Sequence, residues 1–371
     1  MSGDIEAETR HKSETSAVGR HLQDRRQRLS VASLVWKLPF GLHEAQGEVI
    51  QELGHTHTFF FANNQLPPNA QVILVQGPYG SLEPLARQLL NTPKDRRPVL
   101  IYWFQQSLDL SRPYPASSAV TSVFSDLRNS LGTGQRRPGL MRRAIQIARA
   151  GRGARIGYLG DIRWLHQNGL LDVLVLSSTC YAEYLAERGI YSLVVARGHH
   201  ESYGTDLGLS RDIAAVWMGK LRTKRRAKAV RWLQRELETQ GHELRIYDGE
   251  HRKFIYGEER TRVLNRAYFV PNIYFSSPSD ELSIRYYIAA ANGAVVITEP
   301  GLNQYRFDAG SHFVECPLEK MPERICYYVE QEDLWRQLST NVGHLVREEL
   351  TLSSSIEQML NRASSVLFQR D

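Results

Sequence analysis

Residues 213–240, IAAVWM-GKLRTKRR-AKAVRWLQRELETQ, decide how the chain is read. Ile213–Met218 is apolar without a polar interruption, as a strand buried on both faces of a parallel sheet must be. Gly219 follows at once, then Lys220, Arg222, Lys224, Arg225 and Arg226, and then a helical pattern through Gln240. Strand, glycine turn and helix form the repeating unit of an open α/β sheet. Cations at the start of such a helix make an anion site, because unpaired backbone N–H groups and positive side chains converge there. Gly219 lets the backbone approach a phosphate, while Lys220 with Arg225 or Arg226 neutralises its charge. The competing reading is a solvated basic helix start.

The same unit recurs on both sides. Upstream, Val31–Trp36, Thr58–Ala62, Gln71–Gln76, Pro98–Phe104, Arg155–Leu159, Asp172–Ser177 and Tyr191–Ala196 read as strands. Between them, His43–Leu53, Glu83–Leu90, Leu140–Ala150 and Thr179–Arg188 carry helical spacing. Downstream, Glu243–Tyr247, Tyr268–Phe275, Ala294–Thr298 and His312–Cys316 are the further strands, with helices over Thr223–Gln240, Glu258–Arg266, Glu281–Asn292 and Met321–Glu330. Two helical segments, Glu332–Glu349 and Leu352–Leu367, end the chain with no strand between them. The expected class is α/β: two doubly wound, Rossmann-like domains facing across a cleft, with C-terminal helices crossing back. The expected divisions are a mobile charged tail (1–30), a first domain (31–197), a glycine-rich linker (198–212), a second domain (213–350) and a final helix on the first domain (351–371).

Composition narrows the function. The 371 residues, 42% hydrophobic and 23% charged, suit a soluble protein of about two domains. No apolar run approaches a membrane span. The first thirty residues show no secretory h-region. Cys180, Cys316 and Cys326 form no CxxC pair, so a cytoplasmic protein is expected. The net charge of +6 is unevenly spread, with seven arginines from Arg136 to Arg155 around the apolar Leu140, Met141 and Ile145. A helix of that kind can rest on an anionic membrane at its inner face or hold an anionic ligand. Nucleic acid is not expected as a partner, since only charge speaks for it. P-loop, serine-hydrolase and zincin signatures are missing. His55 and His57 share a strand face without a third ligand, so no metal site is expected.

A second informative stretch is Ser277-Pro-Ser-Asp-Glu-Leu-Ser-Ile-Arg-Tyr-Tyr-Ile-Ala-Ala-Ala-Asn-Gly293, leading into AVVIT and Glu299-Pro300. Asp280 is a candidate N-cap, and Glu281 and Arg285 lie four apart on one helix face. The alanines let the helix pack closely on the sheet, and Gly293 ends it. The helix N-terminus would point into the crevice where doubly wound folds bind diphosphates.

Together, Met218-Gly-Lys220, EERTRVLNRAYFVPNIYFS, ELSIRYYIAAANGAVVITEP and GSHFVECPLEKMPERICYYVEQEDLWRQL resemble the C-terminal half of group 1 GT-B glycosyltransferases, most nearly their spore-maturation-like branch. The resemblance spans roughly 213–360 and implies a glycosyltransferase of the hexosyltransferase type. Such an enzyme passes a sugar from a nucleotide-diphosphate-sugar to an acceptor, here unidentified, without a bound metal or other cofactor. It implies that Gly219, Lys220 and Arg225 contact the diphosphate, that Tyr247 and the following Asp248-Gly249 flank the base, and that Asn272 and Tyr274 face the cleft. Glu281 and Arg285 join this donor set. Two glutamates eight positions apart in the family fall here on Asp280 and Ile288, so Asp280 and Glu281 are the catalytic candidates of this half. The apolar Ile288 gives weight to an alternative, a catalytically silent GT-B module that binds a partner or a membrane. A further alternative is a GT-B-like nucleotide-sugar epimerase.

In the first half, Val31–Trp36 leads into Lys37-Leu-Pro-Phe-Gly41 and a helix. That turn would face the phosphate site across the cleft. His43 and Glu44 are therefore candidates for acceptor binding or general-base work, against the plain reading of first-turn helix residues. A second turn, Gly77-Pro-Tyr79-Gly80, is the other candidate for the acceptor side, together with Gly41.

Overall fold

A computed structural model gives the architecture. It describes residues 28–36, 41–61, 64–77, 82–106, 108, 152–221, 223–274, 284–301 and 305–370. The charged tail before residue 28, Tyr79, Asp280, Glu281 and the arginine-rich segment through residue 151 lie outside the described residues.

Among the described residues, two parallel sheets organise the chain. The first has six strands in the order β2-β1-β3-β4-β5-β6: β1 (Ser30–Val35), β2 (Thr56–Phe61), β3 (Val72–Gly77), β4 (Val99–Phe104), β5 (Val173–Leu176) and β6 (Ser192–Val194). The second has five in the order β11-β10-β9-β7-β8: β7 (Ile213–Met218), β8 (Leu244–Tyr247), β9 (Ala267–Asn272), β10 (Val295–Thr298) and β11 (Val314–Glu315). Every recorded strand pair is parallel. Helices α1 (Leu42–Glu52), α2 (Glu83–Asn91), α3 (Arg152–Gln167) and α4 (Thr179–Ala186) belong to the first half of the chain. Helices α5 (Lys224–Thr239), α6 (Gly257–Asn265), α7 (Arg285–Ala291), α8 (Met321–Glu330), α9 (Glu332–His344) and α10 (Leu352–Phe368) belong to the second. None of the described helices is long and apolar enough to cross a membrane.

Why the strands are unbroken apolar runs is plain in β4. Leu100, Tyr102 and Phe104 enter one core cluster while Val99, Ile101 and Trp103 enter the other. Successive side chains point to opposite faces, and both faces of β4 are covered, so apolar side chains fill every position of this strand. Arg155–Leu159, expected as a strand, is instead part of α3. Its short apolar run is ambiguous by itself, and the continuation decides: Leu159, Ile162 and Leu165 are all buried, at helical spacing, on one core.

The last helix completes the first domain. Leu352, Ile356, Met359, Leu360 and Ala363 of α10 join Ala45, Val49 and Ile50 of α1 over β1, β3 and β4. Each such side chain fully buried is worth about 1.5–3 kcal/mol for the larger ones. Arg370 then closes the end of the helix, donating to the Arg97 carbonyl at 2.7 Å and pairing with Asp172. A π-helical turn, Leu345–Glu349, precedes the crossing. There the two connections between the halves run side by side: His199 N–H donates to Leu350 O and Leu352 N–H to His199 O, both at 2.7 Å. Residues 203–211 are held to the second half. Asn292 Nδ2 donates to Tyr203 O, Asn265 Nδ2 to Thr205 O, and Arg211 to the carbonyls of Leu264, Ala267 and Asn292.

Gly198 has φ +82°, and an added Cβ would stand 2.4 Å from Leu352 Cα and 2.7 Å from Leu352 N. Gly198→Ala is therefore expected to destabilise the protein by about 2–4 kcal/mol, read as a lower Tm. Burial lowers His57 from 6.5 to about 4. Burial, with Arg347 and His200 nearby, does the same to His199. Both imidazoles are neutral in the fold and take up protons on unfolding, so stability is complete above about pH 6.5 and falls as pH drops towards 4. Tm should decline across that window, and less steeply in a His57→Asn/His199→Asn variant.

Candidate functional site

The second sheet reverses its strand order at β7, whose neighbours are β8 and β9. Open α/β sheets bind ligands in the crevice at the C-terminal ends of strands where the order reverses. Pro271 sits inside β9, a central strand, where it has no N–H to give to a ladder. The recorded β7–β9 pairing stops at Ala215↔Phe269. Into the opening comes Arg285, the first residue of α7. Its Nε donates to Met218 O at 3.1 Å and its Nη1 to Asn272 Oδ1 at 3.2 Å, and its guanidinium carbon lies 5.0 Å from the centre of the Trp217 ring. Gly219 makes room for it. Its φ is +126°, and a Cβ there would meet Arg285 Nη2 at 2.8 Å.

The strand ends around this guanidinium are tied together. Gly219 N–H donates to Tyr247 O, and Trp217 Nε1 donates to Gly219 O at 2.7 Å. Asn272 Nδ2 donates to Thr298 Oγ1, whose hydroxyl donates to Asn272 O. Buried Glu299, one residue beyond β10, accepts the Tyr274 N–H at 2.8 Å and forms a two-pronged pair with Arg225. Arg225 also donates to Tyr274 O at 2.8 Å, and Arg226 Nε to Ile273 O at 2.9 Å. Thr223 Oγ1 caps α5 by accepting the Arg226 N–H, which sets the start of a 16-residue helix beside these cations. Lys220 is exposed, with its Nζ 5.9 Å from the centre of the Phe254 ring.

The predicted donor residues thus divide. Gly219, Lys220, Asn272 and Arg285 share the reversal point. Arg225, expected on a phosphate, has its guanidinium held by Glu299 and Tyr274 O, with 44% of its side chain exposed. Arg285, read with Glu281 on one helix face, reaches Met218 of β7 and Asn272 of β9, and Glu281 itself lies outside the described residues. Tyr274 is buried and packs close to Gly301, where a Cβ would meet its hydroxyl. Tyr247 packs on the core with Arg252 over its ring. The following Asp248 is buried: desolvation raises its carboxyl, but the His251 and Glu250 N–H groups and the His251 ring, at 2.6 Å, bring it below its usual value.

On the other side, Leu42 at the start of α1 packs against the second domain's core, which brings the α1 N-terminus to the seam. His43 is buried there, while the Glu44 carboxylate accepts the Gly41 N–H at 2.9 Å as a capping interaction. Gly77 ends β3, and its carbonyl accepts the Gln105 N–H. Arg197 links the two halves, its N–H donating to Tyr287 OH of α7 and its Nη2 to Gln105 O. Sequence reasoning missed Glu299, Trp217 and His251. For Glu299 a signal existed: a carboxylate directly after the buried run AVVIT has to find a cation. Among the described residues, no three metal-ligand side chains cluster.

Residues 222–361 match the glycosyl transferase-like family model. No curated protein matches the sequence. Among solved structures, sucrose-phosphate synthase from Thermosynechococcus elongatus superposes with TM-score 0.56 at 11% identity, over 93% of this chain and 100% of the other. HepE of Anabaena in complex with UDP gives 0.55 at 10% identity, over 91% and 100%. TarM of S. aureus, in a complex that includes UDP, gives 0.50 at 8% identity, over 80% of this chain and 55% of its own, so this chain spans little more than half of TarM. The fold is GT-B, and within it residues 222–361 are similar to glycosyl transferase-like domains.

The Glu299 pair can be tested directly. Glu299→Ala leaves the Tyr274 N–H without its acceptor and Arg225 without its carboxylate. A loss of about 2–3 kcal/mol is expected in denaturant unfolding. Glu299→Gln, which keeps an acceptor oxygen, should lose less.

Proposed function

We propose that this GT-B chain is a glycosyltransferase that moves a sugar from a nucleotide-diphosphate-sugar to an acceptor, with protein cations in place of a metal ion. The observation that carries the reading is the convergence of Arg285, Gly219, Lys220 and the α5 N-terminus at the strand-order reversal. A diphosphate fits that chemistry, since backbone N–H groups and cations there stabilise negative charge. UDP, present with HepE and TarM, is the first nucleotide to try.

In the reaction, the bond between the anomeric carbon and the diphosphate oxygen breaks as the acceptor hydroxyl oxygen bonds to that carbon. The charge growing on the leaving diphosphate is met by Lys220, Arg285 and the α5 N-terminus. Arg225 serves less as a free phosphate ligand than as the clamp that fixes the Glu299–Tyr274 turn, its exposed edge still adding positive potential. The acceptor's proton needs a base. His43, buried at the seam, is the first-domain candidate, since Glu44 is engaged in capping. Asp280 and Glu281 remain the candidates of the second domain. A second reading, a GT-B module that binds without transferring, draws on one residue: Ile288, where the family pattern places a glutamate, packs on the apolar core of the second domain.

Calorimetry with UDP tests the donor site. Arg285→Ala and Lys220→Ala should each weaken binding by about 1.5–3 kcal/mol, the worth of a charge-assisted hydrogen bond. Unchanged affinity in both would overturn the assignment. Sugar release from a panel of UDP-sugars, measured with and without EDTA, separates an enzyme from a silent module, and equal rates are expected in the two conditions.

A further inference from the structure

An open, shallow groove of about 420 Å³ lies on the first domain between the segment after β2 and the end of α2, lined by Asn64, Gln65, Leu66, Gln88, Asn91 and Thr92. None of the cleft residues described above lines it. Its size falls within the range of small-molecule sites, about 300–1,000 Å³. Of the six described lining side chains, four are carboxamides, one is a hydroxyl, one is apolar, and none is charged.

The lining is built. Gln88 straps the segment to the helix, its Oε1 accepting the Leu66 N–H at 2.8 Å and its Nε2 donating to Asn64 O at 3.0 Å. Thr92 Oγ1 donates to Gln88 O at 2.8 Å, and Arg97 Nη2 donates to Thr92 O at 3.2 Å. Leu66 packs against the first domain's core. The side-chain amides of Asn64, Gln65 and Asn91 take no hydrogen-bond partner among the described residues, and all three residues are exposed. The Gln88 and Thr92 bonds fix the backbone of the wall, so on binding only the exposed amides are left to order.

We infer that this groove binds a neutral oligosaccharide segment. A carboxamide presents a donor and an acceptor side by side, matching adjacent sugar hydroxyls, each of which can donate and accept. Leu66 offers an apolar contact for the C–H face of a ring. The absence of a cation among the described lining residues argues against phosphate or carboxylate ligands, for which charge-assisted bonds are the usual anchor. The site is separate from the diphosphate crevice, and the inference does not depend on the donor reading.

The test is saturation-transfer NMR and calorimetry of the full chain with maltotetraose, cellotetraose, chitotetraose and a heparin-derived tetrasaccharide. At least one neutral probe should bind saturably, with affinity unchanged by saturating UDP. An Asn64→Leu/Asn91→Leu variant, altering side chains without internal partners, should keep its Tm and lose affinity at least about tenfold. The inference is overturned if no neutral probe saturates, if the variant binds as well as the parent, if UDP displaces the sugar, or if the charged probe is preferred. A chain that binds the neutral sugar but not UDP would retain this site and lose the donor reading.

Discussion

A single guanidinium organises the candidate site. Pro271 deprives a central strand of an N–H at the point where β7 and β9 would otherwise continue to pair, and Arg285 enters beside the unclosed ladder. A backbone carbonyl without a partner in a covered sheet is costly, so the arginine satisfies structure first. The same geometry leaves a cation at the reversal of strand order, beside a glycine turn and a helix start. Structure and chemistry use one side chain. Lysine would not replace it, because the planar fork sends separate nitrogens to Met218 O and Asn272 Oδ1 in a fixed geometry, with its guanidinium carbon 5.0 Å from the centre of the Trp217 ring.

The rest of the crevice depends on this insertion. Gly219 must adopt positive φ and lack a Cβ for the guanidinium to fit. Asn272 is held by Thr298 so that its oxygen faces Arg285. Glu299 organises the neighbouring turn by taking the Tyr274 N–H and Arg225 together. Buried ion pairs are weak evidence of stability but good evidence of position, since each partner fixes the other's geometry. From α7 the order extends outward, for Tyr287, two residues on from Arg285, accepts the Arg197 N–H, and Arg197 in turn reaches Gln105 of the first domain.

The two halves are joined by more than a linker. Paired backbone bonds at His199, Leu350 and Leu352 make the outgoing and returning connections one unit. Beyond it, α10 supplies apolar area that the first sheet needs on its α1 face. The first domain therefore draws part of its core from the C-terminal end of the chain. Neighbouring residues 203–211, glycine-rich and polar, are anchored by Asn265, Asn292 and Arg211 to the second half.

What the amino-acid sequence determined by itself was whatever short-range periodicity encodes. Unbroken apolar runs bounded by glycine turns specified parallel strands, and their restart after Gly208 specified two sheets. The strand–Gly219–Lys220–helix unit was legible because its parts are adjacent in the chain. The run Arg155–Leu159 misled, since five residues cannot separate a buried strand from a buried helix turn, and the pattern through Leu165 was needed. Only tertiary structure could decide where the long cationic side chains go. Arg225 and Arg285 each carry several rotatable bonds, so their partners, Glu299 and Asn272, are 74 and 13 residues distant in sequence. Those partners are chosen by which strand ends the sheet order brings side by side. Local sequence places a charge on an element; the packing of elements chooses what that charge meets.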